Sequence, residues 1–352
     1  MSKYLIDLHR LRHNPYNGLY IFSCRLAEHL LKQPLNEDEE WFYYLPRDKF
    51  GFFGDVPQHV AHKRFHKFYQ AGTQKFDVWH LTTGISQYRP FNNKTKVVFT
   101  IHDVNFLVED PGNTKRNRRS LTLMQKNVDQ ASHIVGISKN ALEFASQHLD
   151  FGEKPASVIY NGYAINEFPD FQEPVYKPGK PFLFSISLVQ PRKNFHVLPA
   201  LLVGNDYELI IAGLNHFGYS EVIMTEAKRW GVEHRVKLIG SVNDENKYWY
   251  LKNCKAFMFP SVAEGFGFPP LEAMHFGKPA FMSNCMSLPE IGGNAAYYFN
   301  DFDPVEMRKI FEKGMNDFID NDRAESIKQQ AALFNWNKNA QQYLEIYRSL
   351  VT

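Results

Sequence analysis

The amino-acid sequence predicts an α/β protein built from two domains. Short apolar runs alternate with stretches of helical periodicity along the whole chain, which is the pattern of strands and helices around parallel sheets. A chain of 352 residues is also too long for one ordinary core and suits two domains of about 150 residues each. Residues 168–181 contain four prolines and little periodicity, so they are the best candidate for the link between the domains.

The runs that predict strands fall into two groups, one on each side of this link. In the first half they are Tyr4–Asp7, Trp41–Leu45, Val78–Leu81, Val97–Ile101, His133–Ile137 and Ser157–Tyr160. In the second half they are Phe182–Ser187, Glu208–Ala212, Val236–Ile239, Ala256–Phe259 and Ala280–Ser283. We therefore assign residues 1–170 to a first domain and residues 171–335 to a second.

The last segment, 336–352, is predicted to form an amphipathic helix with Tyr343, Ile346 and Leu350 on one face. Periodicity alone leaves open whether this helix packs on the second domain, which it follows, or returns to the first.

Composition excludes several classes of protein. A formal net charge of +2 gives no sign of nucleic-acid binding. The three cysteines lie far apart without metal-ligand spacing, which suits a reducing compartment. The chain opens directly into a predicted strand and has no apolar run of about 20 residues. We expect a cytoplasmic protein, with association at the cytoplasmic face of the membrane left open.

The most informative stretch, residues 260–277, is a glycine-bearing loop that leads into a short helix. The apolar run Ala256–Phe259 precedes it, and two prolines open the helix, because proline is tolerated in a first helical turn. Gly277, followed by a lysine and a proline, is a helix stop.

This loop combines an acidic side chain with the beginning of a helix. It holds Glu264 and a run of backbone N–H groups, and Glu272 follows eight residues after Glu264. N–H donors at a helix N-terminus suit anions, and carboxylates suit sugar hydroxyls, so the stretch predicts a sugar-nucleotide site. The glutamate spacing alone would favour a plain turn with two solvated carboxylates; the glycines, aromatics and prolines in register favour the site.

The arrangement resembles the Glu-x7-Glu signature of retaining glycosyltransferases with the GT-B fold, particularly glycosyltransferase family 4. The resemblance implies two Rossmann-like α/β/α domains facing a cleft, with the C-terminal helix, 336–352, crossing back to the first domain. It also implies that Glu272 binds the donor ribose and that Glu264 lies near the diphosphate and transferred sugar, which makes Glu264 a catalytic candidate. The donor-side loop would then comprise Gly265, Phe266, Gly267 and Phe268.

His102 and Asp103 come directly after the predicted strand Val97–Ile101. The carboxyl ends of strands in open α/β sheets face the ligand crevice. In the resembled family a histidine here, often followed by aspartate, contacts the donor sugar, which makes His102 a catalytic candidate and Asp103 a donor-binding one. A histidine that only satisfies a loop carbonyl is the alternative.

Arg192 and Lys193 follow the first strand of the second domain and could neutralise a departing donor diphosphate, which makes both catalytic candidates. The resembled family commonly carries Gly-Arg six residues ahead of this lysine, where the present chain has Ser187. Arg192 could compensate for that missing contact, and a solvated turn is the alternative interpretation.

Two further donor-binding candidates rest on the resemblance. Gly18 matches a glycine that lets the backbone approach the diphosphate, although an ordinary turn before a helix fits as well. Glu290 would lie near the nucleotide end. No GxGxxG occurs, which disfavours a nicotinamide-dependent dehydrogenase. No convincing Asp-x-Asp motif follows a strand, so neither a metal nor another cofactor is expected.

Two basic tracts, 62–69 and 115–119, lie in the predicted first domain, which in GT-B enzymes receives the acceptor. They could meet an anionic acceptor or an acidic membrane surface, or they could simply be solvated.

Together these features predict a transferase of mannose or a similar hexose, moving the sugar from a nucleotide-diphosphate donor to a hydroxyl of a glycan or lipid-linked glycan. The resemblance implies retention and a place in bacterial surface polysaccharide or lipopolysaccharide synthesis. Three alternatives stay open: an inverting GT-B transferase with Asp103 or His102 as general base, a sugar-nucleotide epimerase, and a non-catalytic sugar-nucleotide-binding subunit.

Overall fold

A computed structural model describes residues 1–12, 18–68, 75–166, 168–215 and 218–351. The chain divides into two compact units. Unit 1 comprises Met1–Gly162 and Asn335–Thr352, and unit 2 comprises Tyr163–Phe334. The proline-rich segment 168–181 therefore lies within unit 2, where the backbone N–H of Tyr176 donates to the hydroxyl of Tyr250 at 3.0 Å.

The described part of unit 1 contains a seven-stranded parallel sheet in the order β3-β2-β1-β4-β5-β6-β7. Its strands are β1 Ser2–Asp7, β2 Glu39–Leu45, β3 Gln58–Ala61, β4 Val78–Leu81, β5 Lys96–Ile101, β6 His133–Gly136 and β7 Ala156–Val158. Its helices before unit 2 are α1 Gly18–Leu30, α2 Phe106–Glu109, α3 Thr114–Gln130 and α4 Lys139–Ser146. Every residue of β4 is buried, as expected for a strand covered on both faces.

The described part of unit 2 contains a six-stranded parallel sheet in the order β10-β9-β8-β11-β12-β13. Its strands are β8 Phe182–Ile186, β9 Glu208–Ala212, β10 Val236–Gly240, β11 Ala256–Phe259, β12 Ala280–Ser283 and β13 Tyr297–Phe299. Its helices are α5 Tyr219–Arg229, α6 Asp244–Asn253, α7 Phe268–His275, α8 Leu288–Gly292, α9 Pro304–Asp320 and α10 Ala324–Ala332. The α/β prediction is confirmed by these two parallel sheets with their helices.

The last helix, α11 (Trp336–Val351), belongs to unit 1 although it follows unit 2 in the chain. The hydroxyl of Tyr347 lies 2.6 Å from Nδ1 of His80, and the hydroxyl of Tyr343 lies 2.9 Å from Oγ1 of Thr100. Arg348 pairs with Glu39 at 2.7 Å. These contacts anchor α11 on strands β2, β4 and β5.

The buried face of α11 differs from the predicted one. Tyr343 is fully buried as expected, but Ile346 and Leu350 are only partly buried, and the buried positions are instead Trp336, Asn339, Ala340, Tyr343, Leu344 and Tyr347. The difference arises because polar tyrosine tips reach buried hydrogen-bond partners in the sheet, which apolar periodicity does not register.

Gly162 permits the close approach at which the chain leaves and re-enters unit 1. A Cβ atom at position 162 would lie 2.2 Å from the backbone nitrogen of Trp336. Any side chain there would push α11 away from the sheet. Over the described residues, no helix has both the length and the apolar character needed to cross a membrane.

Buried neutral histidine makes unit 1 sensitive to acid. Burial lowers the pKa of His80 to about 3, well below its ordinary value. Below about pH 6.5 the unfolded chain therefore binds a proton at this position that the folded chain does not, so stability falls as the pH drops toward 3. The expected loss is about 1.4 kcal/mol of unfolding free energy per pH unit from this histidine.

We predict that His80→Gln makes the decline in unfolding free energy between pH 6 and pH 4.5 shallower by about 1.4 kcal/mol per pH unit, measured by urea denaturation with tryptophan fluorescence. Other histidines with lowered pKa values, such as His102 with a pKa of about 4, account for the decline that remains. The exposed His148→Gln in the same unit is the matched control and should keep the wild-type decline. Equal declines in both variants would contradict this account of His80.

Candidate functional site

The basic pair of unit 2 lies on a short turn directly after β8. Pro191–Lys193 form a single 3-10 turn, which Asn194 ends in the left-handed conformation, with φ of 57°. The backbone carbonyl of Arg192 accepts hydrogen bonds from the N–H of Val262, at 3.0 Å, and the hydroxyl of Ser261, at 3.3 Å. This turn is thus joined to the loop after β11, the strand next to β8 in the sheet.

These backbone contacts bring three charged side chains together. The Lys193 ammonium pairs with Oε1 of Glu264, and Nη1 of Arg192 lies 3.5 Å from Oε2 of the same carboxylate. The side chain of Lys193 is only 6% exposed, that of Glu264 12% and that of Arg192 21%. The Lys193 ammonium also lies 5.0 Å from the ring centre of Phe259. The structure therefore joins three of the predicted catalytic residues in one buried cluster.

The charge of Glu264 is maintained by its neighbours. Burial, the largest single influence, works to raise the pKa of Glu264, but the Lys193 ammonium and the Arg192 guanidinium together hold that pKa below its ordinary value. The carboxylate is thus ionised at neutral pH, and the cluster of two cations and one anion carries a net charge of +1.

Ser287 fixes the backbone of the glycine-bearing loop. Its Oγ lies 2.8 Å from the carbonyl oxygen of Glu264 and 2.7 Å from that of Phe266, so one hydroxyl contacts the loop backbone at two places. Ser287 immediately precedes α8, which also contains the half-buried Glu290. The predicted donor-side loop and Glu290 thus belong to one connected region.

The aromatic residues of this loop contribute to packing. Phe266 is buried, and its ring lies 5.2 Å from that of Phe268 and 5.8 Å from that of Phe334. Between them, Gly267 adopts φ of 141°, a conformation that side chains disfavour. At this position and Gly265, only the backbone can serve a ligand.

Glu272 is oriented by a lysine that the sequence analysis did not single out. Nζ of Lys247, on α6, lies 3.0 Å from Oε1 of Glu272 and 3.2 Å from Asp244. Burial by itself would lower the pKa of Lys247, but the carboxylates of Glu272 and Asp244 outweigh it and raise that pKa above its ordinary value. No signal in the sequence links Lys247 to Glu272, because the two lie on different helices.

In unit 1, His102 connects two neighbouring strand ends. Its Nε2 donates to the carbonyl oxygen of Thr82, just past β4, at 2.8 Å, and its ring meets the ring of Phe22 edge-on at 4.6 Å. Burial lowers the pKa of His102 to about 4, although the bond to Thr82 works in the opposite direction. At neutral pH the imidazole is therefore uncharged, with Nδ1 as a hydrogen-bond acceptor.

The other candidates of unit 1 lie at the same edge of the sheet. Oδ1 of Asp103 accepts from the backbone N–H of Asn105 at 3.1 Å. Gly18 is the first residue of α1, and the predicted loop before it, 13–17, lies outside the described residues. The buried pair Asp7 and His9, 2.7 Å apart at the end of β1, was not among the predicted site residues. The feature of the sequence that could have indicated this pair is a polar residue at the end of a buried strand with another just after it.

Residues 167–333 match the family described as "Glycosyl transferases group 1". The matched residues lie within unit 2. The two parallel sheets with their helices have the arrangement of the GT-B fold, as the resemblance of the sequence motifs implied.

Among curated proteins, the chain is 30% identical over 246 residues to a serotype-specific mannosyltransferase, WbdA, of Escherichia coli, an alignment that covers 63% of this chain and 29% of that protein. It is 29% identical over 175 residues to O-antigen chain mannosyltransferase B of the same species, covering 47% of this chain and 45% of the relative. The alignments thus span less than half of either relative's length.

Among solved structures, sucrose-phosphate synthase from Thermosynechococcus elongatus superposes with a TM-score of 0.73 and covers 99% of both chains. At 16% sequence identity, this likeness concerns the fold.

The buried ion pair of unit 2 yields a stability prediction. Lys193→Met removes the ammonium that pairs with the ionised Glu264 and leaves the more distant guanidinium of Arg192, and removal of one member of a buried pair costs about 3–5 kcal/mol. We expect that loss in urea denaturation, and we expect Lys193→Met combined with Glu264→Gln to recover much of it.

The surface variant Lys309→Met is the control, because Lys309 pairs with Glu306 at a similar distance, 2.7 Å, but in solvent. It should leave stability nearly unchanged. A double variant as unstable as the sum of its single variants would show that the two charges of the buried pair are not coupled.

Proposed function

We propose that the protein transfers a hexose, mannose or a closely related sugar, from a nucleotide-diphosphate sugar to a hydroxyl of a glycan or lipid-linked glycan. The observation that carries this proposal is the cluster of Lys193, Arg192 and Glu264 beside a helix that presents Glu272. It offers positive charge for a diphosphate and carboxylates for hydroxyls within one unit of the chain.

In this proposal the cationic groups of the cluster stabilise the departing nucleoside diphosphate. Arg192 offers a planar fork to phosphate oxygens, and Lys193 offers a compact charge whose position Glu264 fixes. Positive charge held in a largely buried site acts more strongly on a developing anion than it would in water. With two cationic side chains available, we propose that the reaction needs no metal ion.

The second carboxylate would bind the nucleoside. Glu272 is 14% exposed, and Lys247 holds its Oε1, so the side chain is oriented before any ligand arrives. A fixed carboxylate can accept hydrogen bonds from the two hydroxyls of a ribose. Glu290, on the helix that follows Ser287, would lie toward the same nucleotide.

We further propose retention of the anomeric configuration. An inverting transferase needs a general base, and a histidine whose pKa is about 4 is a weak one. Neutral His102 is instead suited to accept a hydrogen bond from a sugar hydroxyl through Nδ1. Asp103 is the remaining candidate base in an inverting enzyme.

The relatives support the choice of sugar and of pathway. Two of them, both from Escherichia coli, are named as a serotype-specific mannosyltransferase and an O-antigen chain mannosyltransferase. We therefore propose a role in bacterial surface polysaccharide synthesis, with the protein acting in the cytoplasm, where sugar nucleotides would be its donors.

The role of Glu272 predicts a preference for ribose. Wild-type protein should bind GDP or UDP about 10- to 100-fold more tightly than the matching 2′,3′-dideoxynucleotide, since hydrogen bonds to a charged group contribute about 1.5–3 kcal/mol. In Glu272→Ala that ratio should fall toward one, as measured by titration calorimetry.

The exposed Glu325→Ala, on α10 of the same unit, is the control and should keep the ribose preference. An unchanged ratio in Glu272→Ala would remove this residue from the nucleotide site. Failure of the wild-type protein to bind any nucleotide would favour a protein that binds its acceptor first, whereas nucleotide binding without turnover would favour the non-catalytic sugar-nucleotide-binding subunit.

The role of His102 predicts a split between turnover and binding. His102→Ala should lower kcat by about 10- to 1,000-fold while the donor KM changes little, if its bond to the sugar strengthens in the transition state. Because its pKa is about 4, no limb of the wild-type pH–rate profile between pH 6 and pH 8 should be lost with the histidine. A limb near pH 6.5 that disappears in His102→Ala would instead identify a general base and favour an inverting enzyme.

A further inference from the structure

Unit 1 contains a cavity in which two distant basic tracts of the sequence meet. The cavity has a volume of about 600 Å³ and combines Lys67, from the first tract, with α3, which carries the second. Its basic lining residues are Lys67, Arg89, Lys115, Arg118, Arg119 and Lys126. Residues from two tracts almost fifty positions apart line the same cavity. A run of charges that is merely solvated would not explain this convergence.

One face of α3 supplies most of this charge. Lys115, Arg118, Arg119 and Lys126 all line the cavity together with Thr122, and their spacing of three or four positions keeps them on one side of the helix. Arg116, on the same helix, does not line the cavity and lies 4.0 Å from Asp110. The basic residues of α3 are thus divided between a face that lines the cavity and a face that does not.

This charge is not neutralised within the described part of the chain. No residue that lines the cavity is acidic, and none of its six basic side chains forms an ion pair with a described carboxylate. Burial lowers the pKa of Arg89 from its ordinary value, and the nearby Asp129 opposes that effect. The cavity therefore presents a concentrated positive potential.

The arrangement is unfavourable for the helix that carries it. Like charges three and four positions apart repel each other on a helix surface. Lys115, Arg118 and Arg119 also lie near the N-terminal end of α3, where the helix dipole favours anions over cations. A bound anion would relieve both effects.

We propose that this cavity binds a phosphate or diphosphate group of the acceptor. The inference deepens the proposed function, on which it rests, by naming the chemistry of the acceptor. Arginine forks and lysine ammonium groups are the side chains that bind phosphate oxygens, and Thr114 and Gln87 add neutral donors at the same cavity. Six cations suit a multivalent group better than a single carboxylate.

A cavity also favours a group that can enter it over a flat lipid surface. Lys67, Arg89 and the basic face of α3 converge on one volume, so a discrete phosphate group can contact several of these cations at once. A phosphorylated glycan or the diphosphate that joins a glycan to its lipid can enter. The two sources share one chemistry and differ in what is attached to the phosphate.

The first test uses inorganic pyrophosphate and the full chain in titration calorimetry at low salt. We expect Arg118→Gln combined with Arg119→Gln to weaken a pyrophosphate-binding event by at least about 10-fold. The matched control is Lys94→Gln combined with Arg116→Gln, which removes the same charge from exposed positions of unit 1 outside the cavity. The control should retain wild-type affinity.

Melting temperature provides a readout that does not depend on activity. Without anion, the Arg118/Arg119 double variant should melt at or above the wild-type temperature, because repulsion on α3 is relieved. With pyrophosphate, the wild type should gain more than this variant. Equal affinity losses in both double variants, or an anion-free melting temperature of the Arg118/Arg119 variant well below wild type, would overturn the proposal.

Vesicles distinguish a membrane from a phosphate ligand. Binding to phosphatidylcholine vesicles that contain phosphatidylglycerol, with no binding of pyrophosphate, would identify a lipid surface and overturn the cavity proposal. Arg118- and Arg119-dependent binding of polyprenyl diphosphate in phosphatidylcholine vesicles would support a lipid-linked acceptor, and the same dependence for a soluble phosphorylated sugar alone would support a free one.

Wild-type nucleotide binding, measured separately, tests the proposed function. If the protein binds pyrophosphate but no nucleotide, the transferase proposal is rejected and the anion site is retained.

Discussion

Parallel pairing of the strands in both sheets is the constraint that fixes where chemistry can occur in this protein. Because parallel strands all point the same way, every loop that follows a strand emerges at one edge of its sheet. In unit 2 this brings the turn after β8 beside the loop after β11, so Lys193 meets Glu264 although 71 positions separate them. In unit 1 the same rule places His102 beside Thr82. Each unit thus gathers its polar side chains without any local sequence motif joining them.

Burial of charged groups at such an edge costs desolvation free energy, and close pairing of opposite charges offsets that cost. Lys193 and Glu264 are each desolvated, and neither would be tolerated alone in that position. Lys247 and Glu272 repeat the arrangement a few turns away. The pairs keep ionised groups in defined positions before any ligand is present, which reduces the reorganisation that binding would otherwise require. The same contacts therefore contribute to stability and hold the charged groups in position for ligand binding.

The sequence predicted those parts of the fold in which burial controls composition. Strands such as Glu208–Ala212 and Ala256–Phe259 are buried along their whole length, so their apolar runs coincide with the observed bounds. Two edge strands were not predicted, because Gln58–Ala61 is polar and only partly buried and Tyr297–Phe299 has just three residues. Among the site residues, strand-end position pointed to His102 and Lys193. The pairing of Lys247 with Glu272 depends on how two helices pack, which no periodicity encodes.

The position of α11 makes unit 1 discontinuous along the chain, and this has a consequence for biosynthesis. The partners of His80 and Thr100, which are Tyr347 and Tyr343, emerge from the ribosome only after all of unit 2. At typical translation rates of about 5–20 residues per second, the interval is on the order of 10 s. During that time His80 and Thr100 lack these two tyrosine partners, so unit 1 cannot complete its buried contacts. Unit 2, whose residues are contiguous, can complete its core first, which reverses the usual order in which the domains of a growing polypeptide mature.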